Sequence, residues 1–557
     1  MVRAWLGEIE FSDNSVIQFD KDDIVVFVGP NNAGKSASLR ESYRFVTEND
    51  RGSVVNRVKL ERQGDANDLI SFLESISKKQ NKEALTFYVG YRFDLPESSA
   101  KRHWAHPKGL HDLAPIFANL VTTEARLGAA NPPESVNFVK VAMQHPVHHL
   151  YRDDRIESKF SEYFKQAFGK DLMVHRGAGS QVPLYVGDKP ALAAGQDRVS
   201  ADYILEMEKR DLLHQQGDGM RAFLGVLLNA FIANHSMLFI DEPEAFLHPP
   251  QARLLGTMLA KDLPAGRQLF LATHSEAFLK GLLDANAKNL KIIRIQREGT
   301  VNKTSVLDSS QIELLWKDSL LRHSNILDGL FHSKVIICES DADCRFFSAV
   351  LDSLYENTTE INPDVLFVQC GGKYRVPTVV KALRNLNVPL KAVCDIDVLN
   401  DENPLKEIFQ DLGGQWLEIE KDWKLVKDSI DKKRPELEAE ELKKEIDGIF
   451  NSTSDKIFPK NKISEIQKAL RKASAWSHAK DVGKQFIPSG DATKAFERLQ
   501  AKLKEKGLMI PEVGELESFV KSVGNHGPKW VNEVLSKNLK TDPELGAARA
   551  FVKELIQ

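Results

Sequence analysis

The segment VVFVGPNNAGKSAS, residues 25–38, decides the architecture. Three valines and a phenylalanine run into the loop Gly29 to Ser36, which satisfies G-x-x-x-x-G-K-[ST] at every fixed position. Gly29 and Gly34 allow a tight turn whose backbone N–H groups, with the N-terminus of the next helix, face a phosphate. Lys35 has the reach to the outer phosphates of a nucleotide, and the Ser36 hydroxyl suits a Mg²⁺ ion. Asn31, Asn32, Ala33 and Ala37 complete the wrap. A β-rich run before the loop and a helix opening at Lys35 are the context this chemistry needs. The spacing therefore predicts a nucleotide-binding α/β unit.

Two later segments extend that unit. MLFIDEP (237–243) places Asp241 and Glu242 at the end of an apolar strand, where one acid can face Mg²⁺ and the next can activate water. QLFLATHS (268–275) places His274 at the end of another strand, within reach of a γ-phosphate, and a helix over 250–262 separates the two. Strand–helix alternation of this kind implies a parallel sheet. Upstream, HQQGDGMRAFLGVLLNAF (214–231) sets Gly217, Asp218 and Gly219 at a helix start. Residues 1–95 and 201–320 are expected to form this unit. Between them, 96–200 carries clustered histidines (His103, His106, His111, His145, His148, His149) and several prolines, and reads as a helical insertion suited to dimerisation.

A second α/β unit is expected over 330–557. KVIICESDADCRFF (334–347) ends a strand on Glu339 and continues to Asp343; VLFVQC (365–370), a helix over 376–386 and VCDIDVLN (393–400) follow. In D-x-D, residues i and i+2 of an extended chain share a face, so Asp395 and Asp397 can address one cation. CGGKYRVP offers Gly371, Gly372 and Lys373, either a phosphate-binding turn or an ordinary glycine turn. PEVGELESFV presents Glu515 and Glu517, and HGPKW presents Lys529. From about 404 to 484 opposite charges interleave at helical spacing, as in LEAEELKKEIDGIF and ISEIQKALRKASAW. Solvated helices explain that pattern; a nucleic-acid or partner contact is the alternative.

Bulk properties set the limits. A chain of 557 residues with 42% hydrophobic content can bury cores in two to four domains, at roughly 150 residues each. The net charge of −4 excludes a uniformly basic nucleic-acid-coating protein, so any such groove is local. Cys338, Cys344, Cys370 and Cys394 form no C-x-x-C pair and read as small core side chains rather than zinc ligands. With no apolar run of about 18 residues and no signal-peptide layout, a soluble cytoplasmic protein without membrane contact is expected.

The loop and the acidic strand resemble the ABC-type ATPase head of chromosome-maintenance and repair proteins. Heads of that class sandwich nucleotide in pairs, and Gly217–Gly219 stands at the place of their signature, without its serine. No long heptad array leaves the head, which argues against a coiled-coil rod. Residues 334–400 resemble the Toprim fold of primases, topoisomerases and some nucleases, through Glu339, Asp343, Asp395 and Asp397; Ser340 stands where that family carries glycine. An ATPase head followed by Toprim, with a late G-E-L-E and a lysine after it, resembles the OLD (overcoming lysogenization defect) family, with its Gabija-type antiphage relatives. The resemblance implies an ATP-binding DNA endonuclease using Mg²⁺ or Mn²⁺, with Glu339, Asp343, Asp395 and Asp397 at one metal. Glu515 or Glu517 would complete a second metal site, and Lys529 would offset transition-state charge. It also implies a homodimer or homotetramer in bacterial defence, with a co-encoded helicase or reverse transcriptase and its DNA as partners. The competing reading is a non-catalytic, ATP-switched DNA-binding or repair scaffold. A topoisomerase or primase is disfavoured; a topoisomerase needs a tyrosine nucleophile in a dedicated DNA-gate domain, and none is evident.

Overall fold

A computed structural model describes residues 2–50, 52–82, 85–137, 139–307, 316–317, 322, 324–433, 439–453, 457–471, 475–524 and 526–557. Residue 84 of ALTFYVGYRF (84–93), whose β-branched and aromatic alternation predicts a strand, and residues 437–438 and 472–474 of the expected charged helices lie outside these. The chain divides into two units, Met1–His323 and Ser324–Gln557.

The first unit is built on a six-stranded sheet. In chain order its strands are β1 (Ile24–Val28), β2 (Ala118–Val121), β3 (Met237–Asp241), β4 (Gln268–Ala272), β5 (Leu290–Glu298) and β6 (Val301–Leu307). They lie in the order β6-β5-β1-β4-β3-β2, all parallel except the antiparallel edge strand β6. Every residue of β1 and β4 is buried, as in a parallel sheet covered on both faces. Because these strands run parallel, the residues after Val28, Asp241 and Ala272 gather at one edge, beyond the carboxyl ends, where such sheets bind ligands. A second sheet, in which Arg3–Phe11 pairs antiparallel with Val16–Gln18 and Val55–Gln63, adds to the same core.

The stretch 96–200 departs from a purely helical insertion. It holds helices such as Asp154–Phe168, but also β2, the edge strand of the main sheet, and the hairpin Asp171–Val174 with Leu184–Gly187. His145 and His148 meet edge to face within it, and burial holds the His145 imidazole down to about 4, so it is neutral at pH 7.

The second unit carries a parallel four-stranded sheet of β7 (Lys334–Cys338), β8 (Val365–Gln369), β9 (Leu390–Val393) and β10 (Leu508–Met509), in the order β8-β7-β9-β10. The helix Asp341–Tyr355 packs Phe346 and Phe347 against Phe519, Trp530 and Phe551 from the C-terminal segment. That aromatic layer ties the end of the chain to the first strand–helix unit, and fixing β10 beside β9 brings the late glutamates to the D-x-D turn. Cys338, Cys370 and Cys394 are buried and unpaired to each other, and Cys344 is half-buried. No helix among the described residues is long and apolar enough to cross a membrane.

Candidate functional site

In the first unit the loop after β1 is shaped by close packing. A Cβ on Gly29 would lie 2.1 Å from the Ile295 carbonyl oxygen, and its φ of +145° suits only glycine. The Asn302 amide, from β6, donates to the Ala33 carbonyl at 2.6 Å and pins the other side of the turn. Lys35 is buried, its ammonium donating at 2.7 Å to both the Gly29 and Pro30 carbonyls. Ser36 donates to Asp241 Oδ1 at 2.8 Å, so the loop hydroxyl and the strand carboxylate already share one position. Arg40 closes the other oxygen of Asp241 at 2.9 Å. Asn31, Asn32, Ala33, Gly34, Lys35, Ser36, Ala37 and His274 line one cleft, to which Ser53, Arg297, Thr300 and Asn302 add walls that sequence reasoning missed.

Glu242 sits beside this cleft with its backbone held and its carboxylate exposed. Its N–H donates to Ala272 at 2.8 Å, and its carbonyl accepts from the fully buried Arg126. The residue is left-handed, with φ of +48°, a conformation a glutamate keeps only when its surroundings impose it. Its Oε1 lies 3.6 Å from His274 Nε2. Burial and the Lys35 charge hold His274 below the usual imidazole range. Glu244, also missed in the sequence, accepts from the Thr273 hydroxyl at 2.7 Å and the His274 N–H at 3.0 Å, and so orients the turn that carries His274. Gly217, Asp218 and Gly219 do not line this cleft. Gly217 caps the helix Asp218–Leu227, Asp218 pairs with Arg221 at 2.9 Å, and Gly219 packs on the Phe246 carbonyl.

In the second unit, Glu339, Asp395 and Asp397 come together, each offering an oxygen within 4.8 Å of the others. Asp395 follows β9, and Asp397 lies in the 3₁₀ turn Ile396–Asn400 rather than in the extended strand the D-x-D spacing suggested. Convergence comes instead from tertiary contacts: the Asp395 N–H donates to Glu339 Oε1 at 3.0 Å, and Trp423 holds the Leu399 carbonyl at 2.8 Å. Glu515, Glu517 and His526 form a second group of the same dimensions. It is delivered by β10: the Cys394 N–H bonds Met509, and the Ile396 N–H bonds Gly514, at 3.1 and 2.9 Å.

Three expected contributors are placed differently. Asp343 lines the same cleft, but one of its oxygens accepts from the Ser340 N–H and hydroxyl at 2.8 and 2.7 Å, a capping box for its own helix. Lys373 does not present a free cation: it bridges Asp397 at 3.0 Å and Asp401 at 2.8 Å, while the Gly371 and Gly372 N–H groups close on the Glu339 carbonyl. Lys529 is exposed on the helix Pro528–Leu535 and does not line the cleft.

Lys480, from the charged segment expected to form solvated helices, lies inside the site. Its ammonium is 2.8 Å from Asp395, 3.7 Å from Asp397 and 3.6 Å from Glu515. Burial alone would lower its pKa, but Asp395, Asp397 and Glu515 hold it above the ordinary lysine value. The acids shift the same way. Burial, then the Asp395 charge, pushes Glu339 up to about 8, while burial with neighbouring carboxylates raises Asp395 and Glu515 to about 7 against the pull of Lys480. The all-oxygen donor set of Glu339, Asp395 and Asp397 suits a hard divalent cation such as Mg²⁺ or Mn²⁺. Asp397 Oδ1, buried and without a hydrogen bond, fits the same purpose.

Comparison with known proteins matches this division. Residues 129–280 match an AAA domain family (AAA_21), covering Asp241, Glu242 and His274 but not the phosphate loop. Residues 330–397 match the OLD-like TOPRIM domain family, "Overcoming lysogenization defect protein-like, TOPRIM domain", covering Glu339, Asp343, Asp395 and Asp397. The Old nuclease of Escherichia phage P2 is 27% identical over 179 residues, 30% of this chain and 29% of that protein. The chain thus spans less than a third of that relative's length. Among solved structures, an Smc head bound to the C-terminal winged-helix domain of ScpA is 14% identical, covering 55% of this chain and 98% of its own, at a TM-score of 0.33. The SMC head domain from Thermotoga maritima is 12% identical, covering 55% and 99%, at 0.28. On its two matched domains, the chain has the ATPase-plus-TOPRIM architecture of the OLD family.

Proposed function

We propose that this protein is a divalent-metal-dependent DNA endonuclease of the OLD type, governed by ATP at its first unit and acting in bacterial defence against phage. The observation that carries the reading is that Glu339 and Asp395, which converge with Asp397, line one cleft with Glu515, Glu517 and His526. In that reading the first three residues hold one Mg²⁺ or Mn²⁺ ion, and the second group holds another. Bound divalent ions supply Lewis-acid polarisation of a phosphodiester and a water of lowered pKa. The protein's part is to keep the acids converged. The Asp395 N–H fixes Glu339, Lys373 fixes Asp397, and Asp343 stabilises the helix start beside them.

At the first unit, Lys35 and the loop N–H groups would bind the ATP phosphates, and Ser36 with Asp241 would hold Mg²⁺. Glu242 would act as general base with neutral His274 next to it. Gly217–Gly219, outside the cleft of their own chain, would serve a partner's nucleotide, so a homodimer or homotetramer is the proposed form. DNA, and a co-encoded helicase or reverse transcriptase, are the proposed partners. Cleavage of supercoiled, linear and single-stranded DNA, with Mg²⁺ or Mn²⁺ and with or without ATP, tests the reading. The Asp395→Ala/Asp397→Ala protein should lose cleavage at least a hundredfold and bind ATP within about twofold of wild type. Equal cleavage by that variant and the wild type would refute it.

A further inference from the structure

We propose that Lys480 is a resident cation of the acidic cleft, which a divalent metal must displace to bind. This rests on the reading of the two acidic groups as metal sites, and adds that the chain carries its own competitor. Three carboxylate oxygens converge on the Lys480 ammonium: Asp395 Oδ2 at 2.8 Å, Asp397 Oδ1 at 3.7 Å and Glu515 Oε2 at 3.6 Å. These oxygens come from both acidic groups, so Lys480 joins them. The other oxygen of Asp397 is already taken by Lys373 at 3.0 Å, which leaves Oδ1, held by Lys480 without a hydrogen bond, as the one to turn toward a metal. An ammonium at hydrogen-bonding distance and a divalent ion on the same oxygens repel each other strongly in a partly buried site.

The backbone around Lys480 is fixed, so the exchange must be a side-chain movement. A Cβ on Gly514, just before Glu515, would lie 2.1 Å from the Lys480 carbonyl oxygen, and the φ of Gly514 is +107°. The helix Ala475–Val482 therefore abuts the turn that carries Glu515, and a side chain there would push them apart. The Ser518 hydroxyl donates to the Asp481 carbonyl at 2.9 Å, and the Lys484 N–H to Glu512 at 2.8 Å, locking the same seam. A lysine, with four flexible methylenes and a point charge, can swing out where the flat fork of arginine would have to break several bonds. Its side chain is 29% exposed, so a path to solvent exists. The consequence is a raised threshold. The cleft is charge-compensated without metal, and metal occupancy requires enough free ion to expel Lys480.

The test is Mn²⁺ binding to the full-length, nucleotide-free chain, read by the electron paramagnetic resonance of free Mn²⁺ and by calorimetry. The Asp395→Ala/Asp397→Ala protein gives the background. Lys480→Met should bind Mn²⁺ at least tenfold more tightly than wild type, and Lys480→Arg, which keeps the charge but leaves less readily, no more tightly than wild type. Metal-free Lys480→Met should also melt lower than wild type and recover more on Mn²⁺ addition. Lys480→Gln, neutral but still a hydrogen-bond donor, replaces it if circular dichroism shows that the methionine variant does not fold. Equal or weaker Mn²⁺ binding by the neutral variants overturns the displacement proposal and leaves the metal-site reading intact. No binding above background by wild type or any variant removes the metal-site reading itself, and the proposal with it.

Discussion

Replacing Asp395 with Asn should make the metal-free protein more stable at pH 8 and take away its stabilisation by metal. Burial, with the Asp343 and Asp397 charges, pushes the Asp395 carboxyl from 3.8 up to about 7 although Lys480 pulls the other way. The sign follows from linkage. A carboxyl that is harder to ionise in the fold favours the fold while protonated, and that advantage is lost as pH rises through about 7. The full displacement corresponds to about 4 kcal/mol at 1.36 kcal/mol per pH unit. Solvent screening, with the side chain 21% exposed, reduces it, as does the loss of the 2.8 Å bond to Lys480. About 1–2 kcal/mol should remain, or roughly 3–6 °C in the melting of a unit this size. The gain should vanish near pH 4, where Asp395 of the folded wild type is protonated and as uncharged as asparagine. With metal at a hundred times its Kd, the wild type gains about 2.7 kcal/mol and the Asn protein, short of a ligand, gains little. The order of melting points should therefore invert on adding Mn²⁺. Differential scanning calorimetry at pH 4, 6 and 8, with Mn²⁺ and with chelator, reads all of this. A metal-free Asn variant that melts below wild type at pH 8, or that responds to Mn²⁺ as the wild type does, refutes the reasoning.

Lys35→Ala should weaken ATP binding at least a hundredfold, measured with a fluorescent ATP analogue, because the loop loses its buried ammonium. Glu242→Gln should bind ATP normally and release phosphate about a hundredfold more slowly; phosphate release at the wild-type rate would show that the base is another group. Mn²⁺ affinity should climb at least tenfold between pH 6 and pH 8, since Glu339 at about 8 and Asp395 and Glu515 at about 7 must shed protons to ligate. Calorimetry in two buffers of different ionisation enthalpy should detect those protons, and a pH-independent affinity would contradict the assignment.

What the sequence made legible is the part of each site that local order determines. An apolar strand ending in chemistry-bearing residues is a short-range pattern, and Ile24–Val28, Met237–Asp241, Gln268–Ala272 and Lys334–Cys338 form as the runs of apolar residues suggest. The strand Ala118–Val121 was not legible, because four residues amid helices carry no periodicity, and only the sheet edge beside Met237–Asp241 makes them a strand. Cations were the least legible of all. Lys373, Lys480 and Lys529 are indistinguishable by composition, yet two are drawn among the carboxylates and one stands in solvent. Helical spacing around Lys480 reads as a solvated face, and the reason it is not lies in another segment: Gly514 lets the turn before Glu515 lie against the Lys480 carbonyl. A carboxylate can be assigned from the strand it terminates. The cation that neutralises it is chosen by whichever helix the fold packs against that strand end, and here the glycine of G-E-L-E, rather than the lysine after it, marks where that helix arrives.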